Sequence, residues 1–325
     1  MNFMFSADDD LNVERQTCAF LYFRAKEGHV LRQMDQTPVA ISEFIQSRRK
    51  FMVASFRSIK KTAALSSLIF LISLSNAVLA QTKPNRTASD GDPPRSILWA
   101  GNSFFYYNNS MHNHVGRLVG ASEPKMAHRS TSVTISGSGL DWHDMESYFR
   151  PNGIGKYSFV GNNEVRFNKF DKLFEAVIMI DCSQCPVHPQ LKPVFHEYAK
   201  KQSDIVRKNG AVPIFLMTWA YKDKPEMTAQ LAQEYTVAGN DNDALVIPAG
   251  LAFAKAIAKR PDLELYQPDK RHPSHLGTYL AACTTYSSIY GKSVVGNTYI
   301  AGIDTETVKF LQTVAWETVQ EYFAK

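Results

Sequence analysis

Five short apolar runs alternating with amphipathic stretches constrain this chain more than any other feature. The runs are Ile97 to Ala100, Ser132 to Ser136, Ala176 to Asp181, Val212 to Thr218 and Leu245 to Ile247. Short, β-branched and without polar alternation, they suit strands buried on both faces. The spacing elsewhere predicts helices over Asn109 to Gly120, Pro193 to Asn209, Lys224 to Val237, Gly250 to Lys259, Leu276 to Tyr290 and Asp304 to Phe323. Strands alternating with helices predict an α/β fold, a parallel sheet covered on both faces. No internal repeat interrupts the pattern.

The first run sits in Ser96-Ile97-Leu98-Trp99-Ala100-Gly101-Asn102-Ser103-Phe104. It reads as a buried strand, a tight turn and a serine at a helix N-terminus. That places a hydroxyl at the carboxyl edge of the sheet, where α/β folds bind ligands, beside unpaired N–H groups. An ordinary N-cap serine would look the same. The far end carries Asp269-Lys270-Arg271-His272-Pro273-Ser274-His275-Leu276-Gly277. An aspartate three residues before a histidine can hold one ring nitrogen and leave the other free as a base.

As a pair, these motifs resemble the SGNH (GDSL-type) hydrolases. The match is to a bacterial branch that writes Gly-Asn-Ser-Phe for Gly-Asp-Ser, continued here as Tyr106-Tyr107-Asn108-Asn109. The resemblance spans about Arg95 to Gly291. It implies a three-layer α/β/α sandwich with a flavodoxin-like parallel sheet, the SGNH hydrolase fold. Ester hydrolysis by a serine needs a nucleophile, a base, an orienter and oxyanion donors. Ser103, His272 and Asp269 fill the first three roles. The Ser103 backbone N–H is one oxyanion donor. Gly137, in Ile135-Ser136-Gly137-Ser138-Gly139-Leu140, is the second, with Gly139 as fallback. Most of the superfamily has Gly-x-Asn-Asp after the third strand, where this chain has Ile180-Asp181-Cys182-Ser183-Gln184-Cys185-Pro186. Gln184 can present the missing amide, with Ser183 able to add a hydroxyl. Gly239-Asn240-Asp241-Asn242-Asp243 contains the right letters after the wrong strand and is rejected. No cofactor and no metal is called for.

Cys182 and Cys185 read as packed thiols or as a small disulfide stiffening the Gln184 loop. A redox or zinc role has less support, since no second ligand pair stands at typical spacing. Cys283 reads as buried. His112 and His114, two apart, read as solvated or packed. His275 lacks an aspartate three residues before it and is a poorer base than His272. Asn102, Trp142 and Trp219, at strand ends, can line the substrate pocket, although core packing is the commoner fate of tryptophan.

Upstream, Lys60-Lys61 precede an apolar core from Thr62 to Leu74, and small residues lead to Ala80. This reads as a secretory signal peptide over 52–80, cut after Ala80, with an uncleaved anchor as the competing reading. Translation is expected to start at Met52, making 1–51 a disordered upstream extension. Residues 81–94, rich in Pro, Asn, Asp and Ser, read as a flexible linker, and 95–325 as the hydrolase domain. The expected location is secreted or periplasmic, with no stable membrane insertion once the signal is cut. The net charge of +5 is mild and no basic run carries interleaved aromatics, so nucleic acid is not an expected partner. The function expected is a secreted serine esterase acting on a short-chain, acetyl-type ester of a small molecule or carbohydrate. The alternative is a non-catalytic carbohydrate-binding relative of the same fold. A thiol–disulfide protein is a distant third.

Overall fold

The computed structural model describes residues 82–87, 92–151, 153–170 and 172–324, all within the unit Val78–Lys325. Its strands are β1 (Ser96–Gly101), β2 (Arg129–Thr134), β3 (Tyr157–Gly161), β4 (Glu164–Phe167), β5 (Ala176–Met179), β6 (Val212–Leu216) and β7 (Leu245–Ile247). Its helices are α1 (Ser103–Tyr106), α2 (Met111–Gly120), α3 (Met145–Tyr148), α4 (Lys192–Lys208), α5 (Met227–Asp241), α6 (Ala249–Lys259), α7 (His275–Tyr290) and α8 (Thr305–Phe323). Five strands form one sheet in the order β2-β1-β5-β6-β7, every neighbouring pair parallel. Counting that sheet alone, the order is 2-1-3-4-5, the flavodoxin-like doubly wound arrangement.

Side-chain alternation along each strand feeds two cores. On β1, Ile97 and Trp99 face one core while Leu98 and Ala100 face the other. Ile178 and Ile214 join the first, Val177 and Phe215 the second. Helices α2, α6, α7 and α8 close the first core, and α3, α4 and α5 the second. Burial on both faces is why these strands lack polar alternation. The result is the three-layer α/β/α sandwich expected from the sequence.

The edge strand differs. Strand β2 starts at Arg129 and ends at Thr134, shifted toward the N-terminus from the predicted Ser132 to Ser136. Every position on it is only half-buried, so Arg129-Ser130-Thr131 can pair in the sheet without apolar side chains. The antiparallel hairpin β3–β4, outside the main sheet, was not predicted. The helix expected from Asn109 starts instead at Met111, because Asn108, Asn109 and Ser110 all take positive φ (51°, 68° and 64°).

Within the predicted linker 81–94, residues 82–87 are tied to the domain rather than free. The Asn85 N–H donates to Asn240 (2.7 Å), and the Asn240 side chain donates to the Lys83 carbonyl (2.9 Å). The predicted extension 1–51 and signal peptide 52–80 lie outside the described residues. No helix among the described residues is long and apolar enough to cross a membrane.

Candidate active site

Strand β1 delivers Ser103 to the carboxyl edge of the sheet, between its two crossover directions, where ligands of such folds bind. Gly101 makes the turn possible. A Cβ there would lie 2.2 Å from the Ile180 side chain and 2.7 Å from Phe105. Asn102 then caps α1, its side-chain oxygen accepting the Phe104 N–H (3.1 Å). Ser103 opens that turn and is 8% exposed.

The Ser103 Oγ lies 2.8 Å from His272 Nε2, across 169 residues of sequence. His272 Nδ1 is hydrogen-bonded to Asp269 Oδ2. The other carboxylate oxygen of Asp269 accepts the N–H groups of Arg271 (2.9 Å) and His272 (3.0 Å). Burial pushes the Asp269 carboxyl up. The His272 ring and the two backbone donors outweigh that and hold it below its ordinary value. A carboxylate can only accept, so Nδ1 carries the proton and the Nε2 lone pair faces the serine hydroxyl.

Aromatic stacking fixes the imidazole plane. Tyr107 stacks on the His272 ring at 4.2 Å and 8°, and Phe104 meets it edge-on at 5.6 Å. Phe104 in turn stacks on Trp219 (4.6 Å), and Trp219 on Phe253 (4.3 Å). Trp219 is fully buried, so it lines no pocket and the sequence expectation is corrected. Its indole N–H donates to the Arg271 carbonyl (2.9 Å), steadying the loop that carries Asp269 and His272. Asn108 ties the same loop to the nucleophile segment, donating to the Pro273 carbonyl (2.8 Å) and to Thr278 (2.8 Å). The roles of Tyr107 and Asn108 were invisible in sequence, although the run Tyr106-Tyr107-Asn108-Asn109 marked the place.

Asn102 also leaves the predicted list of substrate contacts. It is 3% exposed. Its amide nitrogen donates to the Ser138 carbonyl (2.8 Å) and the Asp181 carbonyl (3.0 Å). One buried side chain thus clamps the loop after β2 to the loop after β5. Those are the two loops expected to carry oxyanion donors.

Gly137 takes φ +71°, and open space surrounds the place of its missing Cβ. At Gly139 the same place is filled by the carboxylates of Asp141 (2.6 Å) and Asp181 (2.7 Å). The place of the missing side chain is thus open at the first glycine and occupied by acidic side chains at the second. The backbone N–H groups of Ser103 and Gly137 have no partner among the described residues. Gln184 is exposed and its side chain is likewise unpartnered, while Ser183 is engaged with the Tyr221 hydroxyl (2.7 Å). Trp142, 60% exposed, stands on the turn just past Gly139.

Cys182 and Cys185 form a disulfide, which selects between the readings left open and closes the loop around Gln184. With both sulfurs bonded to each other, the nearby Asp181 finds no thiolate with which to share a metal. Cys283 is buried and free. His114 is buried, with Nε2 bonded to the Asn108 carbonyl (2.8 Å) and Nδ1 to the Tyr299 hydroxyl (2.9 Å). His275 points away from Ser103, its Nε2 donating to the Ala301 carbonyl (2.8 Å).

Asp181 has a role that the sequence pattern does not assign. Its Oδ1 accepts the N–H of Cys182 (2.6 Å) and of Leu140 (3.3 Å), bridging the same two loops as Asn102. Burial pushes its pKa up to about 7 against those two hydrogen bonds, with the Asp141 charge adding to the rise. An unfolded carboxyl titrates near ~3.9. A raised folded pKa means the relative stability is full below that value and is lost as pH climbs toward 7. We expect wild type to lose up to roughly 4 kcal/mol against the Asp181→Asn variant across this window. Urea midpoints of both proteins from pH 4 to 8 measure it, and parallel curves would show that Asp181 does not titrate there.

No family model and no curated protein matches the chain. Among solved structures it is similar to a DUF4886 family protein from Bacteroides uniformis, at 18% identity over 68% of this chain and 93% of that one, with a TM-score of 0.48. It is similar to a candidate SGNH hydrolase from Slackia heliotrinireducens at 22% identity, over 59% and 97%, with a TM-score of 0.44. An acetylxylan esterase from Geobacillus stearothermophilus is similar at 13% identity, over 61% and 95%, with a TM-score of 0.43.

Proposed function

We propose that the protein is an SGNH-type serine esterase that removes a short, acetyl-type acyl group, carried on a carbohydrate or similar polar molecule. The observation that carries this reading is the hydrogen-bonded line from Ser103 Oγ through His272 to Asp269. The His272 Nε2 lone pair takes the serine proton as Oγ attacks the ester carbonyl. Asp269 holds the tautomer and stabilises the imidazolium. The Ser103 and Gly137 N–H groups face the developing oxyanion, with the Gln184 amide as third donor from the disulfide-closed loop. His272 then protonates the leaving alcohol. A water, deprotonated by the same nitrogen, releases the acid from the acyl-serine. Export through residues 52–80 belongs to the same proposal and puts the enzyme where extracellular acetylated glycans occur.

Two measurements test it. A fluorophosphonate should label the protein, and mass spectrometry should place the adduct on Ser103. The protein should also turn over p-nitrophenyl acetate and release acetate from acetylated oligosaccharides. A folded protein with no label and no turnover would sink the esterase reading and leave a carbohydrate-binding relative of the same fold.

A further inference from the structure

Ser138 stands between the two glycines of the loop after β2, one residue past Gly137, and is fully buried. Three of its groups are held at once. Its N–H donates to the Ile135 carbonyl (3.2 Å), its carbonyl accepts the Asn102 amide (2.8 Å), and its hydroxyl donates to the Gly101 carbonyl (3.3 Å). The last bond ties the side chain to the end of β1, two residues before Ser103. A fourth contact comes from His143, which is buried and whose Nε2 lies 3.2 Å from the same hydroxyl. The Nδ1 of that ring lies 3.0 Å from the hydroxyl of Tyr148, in α3.

The directions in this line are fixed from one end. A carbonyl can only accept, so the Ser138 hydroxyl spends its proton on Gly101 and offers a lone pair to His143. Nε2 must then carry the ring proton, and a neutral ring leaves Nδ1 to accept the Tyr148 O–H. Burial lowers the His143 pKa, against the Gly101 carbonyl and the Asp141 charge, and keeps the ring neutral. The backbone around His143 is held by a different group. The Gln202 amide, from α4, donates to the carbonyls of Leu140 (3.0 Å) and His143 (2.9 Å). The turn therefore does not depend on the imidazole for its own shape, and the Nε2–H acts on Ser138.

We propose that His143 is a positioning residue for the oxyanion hole: by holding the Ser138 hydroxyl to Gly101, it sets the Gly137 N–H in register with that of Ser103. The inference rests on the esterase reading, with Gly137 as a donor. Gly137 takes φ +71° and has no heavy atom within 4 Å of the place of its missing Cβ, so no packing at the glycine itself fixes where its N–H points. That direction is inherited from Ser138, whose carbonyl Asn102 holds and whose side chain the Tyr148–His143 line holds. An oxyanion donor works at about 2.7–3.1 Å, so a small swing of the loop weakens it in the transition state and leaves ground-state binding almost unchanged.

Steady-state kinetics of the full chain on p-nitrophenyl acetate, with a Tm for each variant, tests it. His143→Phe fills the space without a donor and should lower kcat per folded molecule by about 10- to 50-fold, with KM within about twofold. His143→Gln, whose amide can still donate to Ser138, should recover most of that loss, and it carries the test if the phenylalanine variant does not fold. The Ki of an arylboronic acid, whose tetrahedral adduct on the serine uses the same donors, should rise as kcat falls across the set. In wild type, long-range ¹⁵N–¹H NMR should find the His143 proton on Nε2. A proton on Nδ1 overturns the inference, as does a glutamine variant no better than phenylalanine. A His143→Phe protein with lowered Tm but wild-type kcat and Ki overturns it too, since the ring would then only stabilise the fold. Each of these results leaves the esterase reading standing. A wild type that turns over no ester removes that reading and takes this inference with it.

Discussion

Alanine at Ser103 is expected to lower kcat for a short-chain ester by about 10⁴- to 10⁶-fold, or ~5–8 kcal/mol, with little change in KM. The nucleophile touches the reacting carbon only as the bond forms, so its loss falls on the transition state. His272→Ala should cost about as much, and the double variant hardly more, because the pair acts as a unit. Asp269→Asn should cost somewhat less, on the order of 10³- to 10⁴-fold. It keeps an acceptor for the Arg271 and His272 N–H groups but offers His272 Nδ1 an amide, favouring the wrong tautomer. Steady-state kinetics with p-nitrophenyl acetate on the four variants checks the whole set. A Ser103→Ala protein within tenfold of wild type would mean that turnover arises elsewhere.

The strands were legible because four of the five are buried on both faces, and a doubly buried strand writes itself as an apolar run. The fifth, β2, is an edge strand that opens with arginine, serine and threonine and has Val133 as its one apolar residue, so its start lies three residues before the expected Ser132. The β3–β4 hairpin had a signal that went unread. Tyr157, Phe159, Val165 and Phe167 alternate around Asn162-Asn163, a pair able to take the positive φ of a tight turn, and both do (49° and 58°). Those aromatic residues are exposed, so no core demand reinforced the pattern.

At the site, Asp269 and His272 were legible because their partnership is local, three residues apart. Ser103 met them because the flavodoxin-like order brings the end of β1 and the loop before α7 to one edge of the sheet. Depth below the surface was not legible. Asn102 and Trp219 both follow strands, and sequence gives a strand-end residue no sign of whether it faces ligand or core. Trp219 went to the core because Phe104 and Phe253 sandwich its ring.

Asn102→Ala is expected to be the most damaging substitution outside the Ser103–His272–Asp269 line. Three hydrogen bonds disappear together: the cap on Phe104 N–H and the donations to the Ser138 and Asp181 carbonyls. Losing an N-cap costs ~1 kcal/mol. Each buried carbonyl left unsatisfied adds about 1–3 kcal/mol before relaxation. Net destabilisation of roughly 2–5 kcal/mol follows, since the loops can shift to recover part of it. That same shift releases the Gly137 and Gln184 loops from their register with Ser103, so kcat should fall by about 10²-fold even in molecules that remain folded. Asn102→Asp distinguishes the clamp from the cap. The carboxylate can still cap Phe104 but cannot donate to either carbonyl, so it should recover little of the lost kcat. Urea titration and steady-state kinetics on the folded fraction measure the two effects separately. A variant with wild-type stability and kcat but a raised KM would return Asn102 to the substrate-contact role that its burial argues against.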